Sequence, residues 1–181
     1  MNTPGKPTLF IFSGLPASGK STLAKFLARE LKAAYLRIDT IEQGLRDLCK
    51  IDVQGEGYRL SYRIVEDNLK LNISVVADSC NPVNLTRDEW EDVARSSNSD
   101  FVNIEVICSD KAEHKNRADL RKPEITNLKL PTWENIEKRE YHIWKKDRII
   151  IDTAGKSIHE CEIELTEKIH EYTLQKYRNR P

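Results

Sequence analysis

Nine consecutive residues near the start of the chain have the makings of an anion cradle: Gly14, Leu15, Pro16, Ala17, Ser18, Gly19, Lys20, Ser21 and Thr22. Gly14 to Ser21 fits G-x-x-x-x-G-K-[ST] in full. Gly14 and Gly19 allow backbone angles that a Cβ opposes, so successive amides can face one anion. A helix starting near Gly19 would add its positive end. Lys20 would reach the β- and γ-phosphates of a nucleotide, and the Ser21 hydroxyl would ligate Mg²⁺. The chemistry this spacing suits is the holding of ATP with Mg²⁺. An ordinary glycine turn is the plainer alternative. The flanks argue against it, because the apolar run "TLFIF" enters the segment and an amphipathic helical pattern leaves it.

Such a cradle needs a strand before it and a helix after it, and the whole chain repeats that alternation. Strand candidates are "TLFIF" (8–12), "AYLRI" (34–38), "ISVVAD" (73–78), "FVNIEVIC" (101–108) and "RIIID" (148–152). Helical spacing puts Leu23, Phe26, Leu27 and Leu31 on one face, as it does Tyr58, Tyr62, Val65 and Leu69. The last helix is expected to bury Ile158, Cys161, Leu165, Ile169 and Tyr172. Ser157-x-x-Glu160 and Thr86-x-x-Glu89 read as capping boxes, and Asp110-x-x-Glu113 as a looser version. Five strands separated by helices predict an α/β fold with a parallel sheet covered on both faces. "LRKPEITNLKLPT" (120–132) reads as a surface loop, and the basic end "QKYRNRP" is expected to fray.

Composition narrows the function classes. The 181 residues hold 29 Lys and Arg against 29 Asp and Glu, a balance that argues against a protein coating nucleic acid. The longest apolar runs are strand-length, too short to span a membrane. "MNTPGKPTLF" lacks the apolar middle of a signal peptide. Cys49, Cys80, Cys108 and Cys161 show no C-x-x-C spacing, so buried thiols in a reducing cytoplasm are expected. His114, His142, His159 and His170 show no metal-ligand spacing. No N-K-x-D string for guanine recognition occurs, and the chain is short for a motor ATPase.

"GLPASGKSTLA", "YLRIDTIEQGL", "VVADSCNP", "LTRDEW", "CSDKAEHKNRADLR", "LPTWENIEKREY" and "DRIIIDTAG" together resemble the small predicted-kinase branch of the P-loop ATPases. Its better understood relatives include chloramphenicol phosphotransferase, the zeta toxins and the kinase domain of bacteriophage polynucleotide kinase. The resemblance runs from about residue 8 to beyond 155. It implies a P-loop NTPase three-layer α/β/α fold with a five-stranded parallel sheet of order 2-3-1-4-5, as in nucleoside monophosphate kinases. Residues 1–181 would form one kinase domain, with a lid or substrate segment at about 110–132.

The resemblance also implies roles. Asp39, at the tip of the second strand, would take the proton of the attacking hydroxyl, and an ordinary carboxylate suffices for a loose transition state. Asp39-x-x-Glu42 and Thr40-x-x-Gln43 equally read as helix caps. Asp78 would serve Mg²⁺ from the second shell or touch substrate, or else simply form a turn. Asn81 would reach substrate from the same loop. Arg117 and Arg121, four apart and so on one helical face, would pack on adenine and fork onto phosphate respectively, or be a solvated charged face. Thr153, Ala154 and Gly155 would wrap the adenine. Trp133, Ile136, Glu140 and Trp144 fall at helical spacing and read as core, with Pro123 and Pro131 in a loop able to close over substrate. Arg139 and Arg148 are candidate phosphate contacts or ion-pair partners.

The leading expectation is an ATP- and Mg²⁺-dependent kinase acting on a hydroxyl of a small molecule such as a nucleoside, a sugar or an antibiotic-like alcohol. A 5′-hydroxyl polynucleotide is the alternative acceptor. It calls for a basic track beside Asp39, for which Arg37, Arg46, Lys50, Arg59 and Arg63 are candidates interrupted by Glu42, Asp47, Asp52 and Glu56. A nucleotide-binding switch or ATPase with little transfer activity is a third reading. The acceptor and the oligomeric state are not legible in the chain.

Overall fold

In the structure, a computed structural model, residues 6–178 are described, the last three of them by their backbone alone. The elements run β1 (Thr8–Ser13), α1 (Lys20–Leu31), β2 (Ala34–Arg37), α2 (Ile38–Cys49), α3 (Glu56–Lys70), β3 (Val75–Asp78), α4 (Asn84–Ser96), β4 (Asp100–Ile107), α5 (Lys111–Leu120), α6 (Trp133–Glu137), β5 (Ile149–Asp152) and α7 (Ile158–Arg178). The five strands pair in parallel in the order β2-β3-β1-β4-β5, as expected.

Strand β1 explains why the sheet is central. Its residues alternate in direction, as strand geometry requires. Leu9 and Ile11 enter the core shared with Val65 and Leu69 of α3 and Trp90 and Ala94 of α4. Phe10 and Phe12 enter the opposite core, with Leu23 and Leu27 of α1 and Cys161 and Leu165 of α7. A strand buried on both faces must be apolar throughout, which is what "LFIF" supplies. Full burial of one such side chain contributes about 1.5–3 kcal/mol. Trp90 is the largest of them, and Tyr62 meets it edge-on with ring centres 4.6 Å apart.

Register brings the polar strand ends together. Phe12 pairs with Asp78, Arg37 pairs with Asp78, and Ser13 pairs with Glu105. The carboxyl ends of β1, β2 and β3 therefore open on one edge, where open α/β sheets hold ligands.

Several local expectations need correction. Thr86 lies inside α4, which starts at Asn84, and its hydroxyl bonds the Val83 carbonyl, so it caps nothing. Asp110 caps α5 through the amides of Ala112 and Glu113, but Glu113 turns away to Arg117 and the Gly155 amide. Of the three expected boxes Ser157 and Glu160 form the reciprocal pair, and Thr132 with Asn135 forms another at the start of α6. The Trp133-to-Trp144 pattern is not one helix, because α6 stops at Glu137. Ile136 and Trp144 are buried separately and Glu140 is exposed. Leu31 and Ile158 are exposed, as is the Cys49 thiol, while Cys108 and Cys161 are buried. The tail expected to fray stays helical to Arg178, and its last residues, like residues 1–5, lie outside the described ones. No described helix is long and apolar enough to cross a membrane.

Candidate active site

The loop from β1 to α1 is shaped by its glycines. Gly14 adopts φ +140°, and a Cβ there would lie 2.2 Å from the Val106 carbonyl oxygen. Its amide donates to the Cys80 carbonyl at 3.1 Å, tying the loop to the end of β3. Gly19, at φ +93°, starts α1 with no side-chain cap, so the first-turn amides remain available to an anion. Ala17 is left-handed at φ +67°, a conformation costing a residue with a Cβ about 1–2 kcal/mol. The loop carbonyls are held from outside. His114 Nε2 lies 2.8 Å from the Pro16 oxygen, and because that oxygen only accepts, Nε2 carries the proton. The Thr153 hydroxyl donates to the Ser18 carbonyl at 2.9 Å.

Lys20 opens α1 and is buried against the end of β3, with Nζ 2.6 Å from Asp78 Oδ1. Burial alone would push its ammonium down, but the Asp78 charge and hydrogen bond hold it above its ordinary value. Asp78 mirrors this. Burial favours its neutral form, yet the Lys20 charge and hydrogen bonds from Lys20, Ser21 and Tyr35 hold it below the usual carboxylate range. The Tyr35 hydroxyl donates to Asp78 Oδ2 at 2.7 Å, and burial pushes that phenol up. Ser21 and Asp78 thus sit together as one hydroxyl and one carboxylate. That pair, with phosphate oxygens and water, suits Mg²⁺, which keeps most of its shell from non-protein ligands. Among the described residues no group of three or more His, Cys, Asp or Glu side chains forms a self-sufficient metal cage.

Arg37 ends β2, and its Nε lies 3.8 Å from an oxygen of both Asp39 and Asp78. Asp39 falls in the first turn of α2, whose N-cap is Arg37 with no side-chain cap bond. The capping alternatives for Asp39 and Thr40 are therefore not what the structure contains. The Asp39 carboxylate is 54 % exposed and faces the cleft.

Arg117 and Arg121 part company. Arg117 stays on α5 and grips the loop after β5, with Nη1 to Thr153 Oγ1 at 2.7 Å and Nη2 to the Thr153 carbonyl at 2.9 Å. Arg121 is the C-cap, in extended backbone, and so leaves the helical face it was expected to share. Its Nε and Nη2 are buried without hydrogen-bond partners. Burial pushes this guanidinium down, opposed by the Asp39 charge. Asn81 is spent on structure, because its amide nitrogen donates to Phe12 O and its oxygen accepts from Trp90 Nε1. Arg148 is an ion-pair partner of Glu105, whereas Arg139 lines the cleft.

One cleft of about 690 Å³ is lined by the Gly14–Thr22 loop, Arg37, Asp39, Arg117, Arg121 and Arg139, with Glu124 and Asn127 to Pro131 above. Glu124 fastens that upper segment, accepting from Lys25 at 2.5 Å and from Arg37 at 2.8 Å. Sequence reasoning missed both Glu124 and Tyr35. Neither position carries a local signal, since each is defined by a partner far along the chain. Thr153, Ala154 and Gly155 do form the turn after β5, with Gly155 at φ +67° and Asp152 bonding the Ala154 amide.

Residues 9–139 match the AAA domain family. No curated protein matches the sequence. Among solved structures, the chain is similar to the APS kinase CysC of Mycobacterium tuberculosis in complex with AMPPNP and APS, with 20% identity over 92% of this chain and 99% of that one and a TM-score of 0.69. A gluconokinase from Sinorhizobium meliloti shows 13% identity over 97% and 99% of the two chains, with a TM-score of 0.70. Kti12 of Chaetomium thermophilum in complex with ADP-AlF3 shows 19% identity over 90% and 97%, with a TM-score of 0.66. At such identities the likeness speaks for the fold. With the family match spanning most of its length, the chain belongs to the AAA domain family and has the fold of the small P-loop kinases.

Proposed function

We propose that the chain is an ATP-dependent phosphotransferase that moves the γ-phosphoryl group of ATP to a hydroxyl of a small-molecule acceptor. The observation that carries this reading is the continuity of the cleft from the Gly14–Thr22 loop to Asp39, with the unpartnered nitrogens of Arg121 beside it. A pure binding site for nucleotide has no need of a carboxylate and a spare guanidinium at its far end. Two of the similar structures were determined with AMPPNP or with ADP-AlF3, and one of them, an APS kinase, also held APS.

In this reading, loop amides and Lys20 hold the triphosphate, and Lys20 exchanges part of its bond to Asp78 for phosphate oxygen. Ser21, with Asp78 bonded behind it, would hold Mg²⁺, whose charge would offset that of the β- and γ-phosphates. The acceptor oxygen forms its bond to Pγ as the bond from Pγ to the bridging oxygen breaks. The electron pair leaves on ADP, and the hydroxyl proton passes to Asp39. Arg121 donates to the transferring group, where charge is spread over equatorial oxygens. Arg117 and the Thr153–Gly155 turn flank the adenine ring. The segment from Arg121 to Pro131 acts as the lid that excludes water.

A polynucleotide acceptor is disfavoured by the surface beside Asp39. Arg46 is tied to Glu42 at 3.1 Å rather than free for phosphate. Four cysteines without a disulfide support a reducing compartment, the cytoplasm. The test is ATP consumption against panels of metabolites, nucleosides and 5′-hydroxyl oligonucleotides, with Lys20→Ala as blank. ATP turnover that no acceptor stimulates would favour the switch reading instead.

A further inference from the structure

A smaller cleft of about 330 Å³ adjoins the nucleotide cleft, and the two share Asp39, Glu42, Cys80 and Arg139. Whatever occupies the smaller cleft therefore presents one end to Asp39, where the proton must go. Its volume lies near the lower end of small-molecule sites, about 300–1,000 Å³, and suits a molecule of monosaccharide size.

The charge of the two clefts differs. Lys20, Arg37 and Arg121 make the nucleotide side cationic. In the smaller cleft the carboxylates of Asp39, Glu42 and Glu89 outnumber the guanidiniums of Arg59 and Arg139 by three to two. Two of these carboxylates are fixed, each with one oxygen engaged. Glu42 Oε2 accepts from Arg46 at 3.1 Å, and Glu89 Oε2 accepts from the Tyr62 hydroxyl at 2.9 Å. Their Oε1 atoms take no hydrogen bond among the described residues. Gly57 of α3 makes room for the Glu42 stem, since a Cβ there would fall 2.3 Å from Glu42 Cγ. Apolar contact comes from Ile38, Pro82 and Leu85. Fixed carboxylate oxygens accept hydrogen bonds from hydroxyl or ammonium groups and repel phosphate, sulfate and carboxylate.

We infer that this cleft receives the phosphate acceptor, and that the acceptor is a polyhydroxylated molecule of about monosaccharide size carrying no anionic group, held by Glu42 and Glu89. The inference rests on the kinase reading. A sugar acid or a nucleoside monophosphate would set its charge against these carboxylates.

The experiment takes the full chain with Mg²⁺ and ATP. It measures kcat/KM for neutral sugars and cyclitols, their amino derivatives, the matched sugar acids and nucleoside 5′-monophosphates. ATP binding is followed in parallel by calorimetry. The best uncharged or amine-bearing polyol should exceed every anionic compound by about tenfold or more. Glu89→Gln, which keeps an acceptor for Tyr62, should raise the acceptor KM about tenfold while the KM for ATP stays within about twofold. Gly57→Ala, which displaces Glu42, should do the same. Preference for an anionic acceptor, or intact ATP binding with no polyol turned over, overturns the inference. Absence of ATP binding removes the kinase reading itself, and calorimetry tells that result apart.

Discussion

Lys20 Nζ and Asp78 Oδ1 lie 2.6 Å apart, both buried, joining the first residue of α1 to the last residue of β3. The pair closes the floor of the cradle, and each partner is held charged by the other. Removing one charge from such a pair strands the other, at a cost of about 3–5 kcal/mol. Tyr35 and Ser21 still donate to Asp78, which places Lys20→Ala near the lower end of that range. Chemical denaturation should show this loss, and the double variant Lys20→Met/Asp78→Asn should recover much of it. Full additivity of the two single variants would mean that the pair is not coupled.

The same pair sets a pH window. The Asp78 carboxyl is depressed in the folded protein, so its contribution is present above the unfolded value of about 4 and is lost as pH falls through the folded value. Lys20 is raised, so its contribution is complete below about 10.5 and is lost as pH rises through the folded value. The pair therefore stabilises across neutral pH, and the wild type should lose stability on the acid side faster than Asp78→Asn does. Parallel acid limbs in the two proteins would refute the assignment.

Asp39 and Arg121 should separate binding from transfer. Asp39→Asn keeps the shape of the cleft and removes the proton acceptor, so transfer should fall about 10²–10⁴-fold while ATP affinity survives. Arg121→Met is the more discriminating variant. Two of its buried nitrogens lack partners, and each such donor costs about 1–3 kcal/mol. The unliganded protein should be no less stable than wild type, yet transfer should fall about 10²-fold or more. A loss of stability with unchanged transfer would make Arg121 a structural residue.

How much of this was legible in the sequence follows from how far each signal reaches. The five strands and the cradle were legible because apolar runs and the G-x-x-x-x-G-K-S spacing are local, whereas the strand order followed from the resemblance to the small P-loop kinases. Trp133 to Trp144 misled, because two tryptophans at helical spacing, here one half-buried and one buried, look alike whether one helix or a turn joins them. Instead, Trp144 packs under the Arg87 guanidinium, 4.1 Å from its ring centre, and Trp133 meets His114. Thr86 misled because a capping pattern does not say which residue the chain chooses as cap. Asp78 meets Lys20 and Tyr35, and Glu124 meets Lys25 and Arg37, across dozens of residues, and no spacing rule reaches that far.

Gly14 offers a test of the cradle that leaves all charges in place. Gly14→Ala would push a methyl against the Val106 carbonyl, 2.2 Å away, at a φ of +140° that alanine resists. Backbone cannot yield there as a flexible side chain would, because Val106 pairs with Ile151 of β5 in the sheet. The loop must shift, at a cost above the usual 1 kcal/mol or so of a glycine replacement. ATP affinity, read by calorimetry, should fall to the level of Lys20→Ala even though the lysine remains.

Glu124 makes the last prediction, because it fastens the upper segment by two ion pairs that span the cleft. It accepts from Lys25 on α1 and from Arg37 at the end of β2, while Asn127 reaches Asp47 on α2 at 3.3 Å. The Glu124 side chain is 58 % exposed, so these pairs are screened and contribute only about 0–1 kcal/mol each to the fold. Local closure is a different quantity from global stability, and small terms decide it. Glu124→Gln should therefore leave the unfolding midpoint almost unchanged. Amide hydrogen exchange across residues 121–131 should quicken about threefold, and salt should quicken the same amides in the wild type. Arg37, released from Glu124, would then bear on Asp39 and Asp78 alone. If exchange in the segment is indifferent to both the variant and salt, its closure rests on packing and not on the Glu124 pairs.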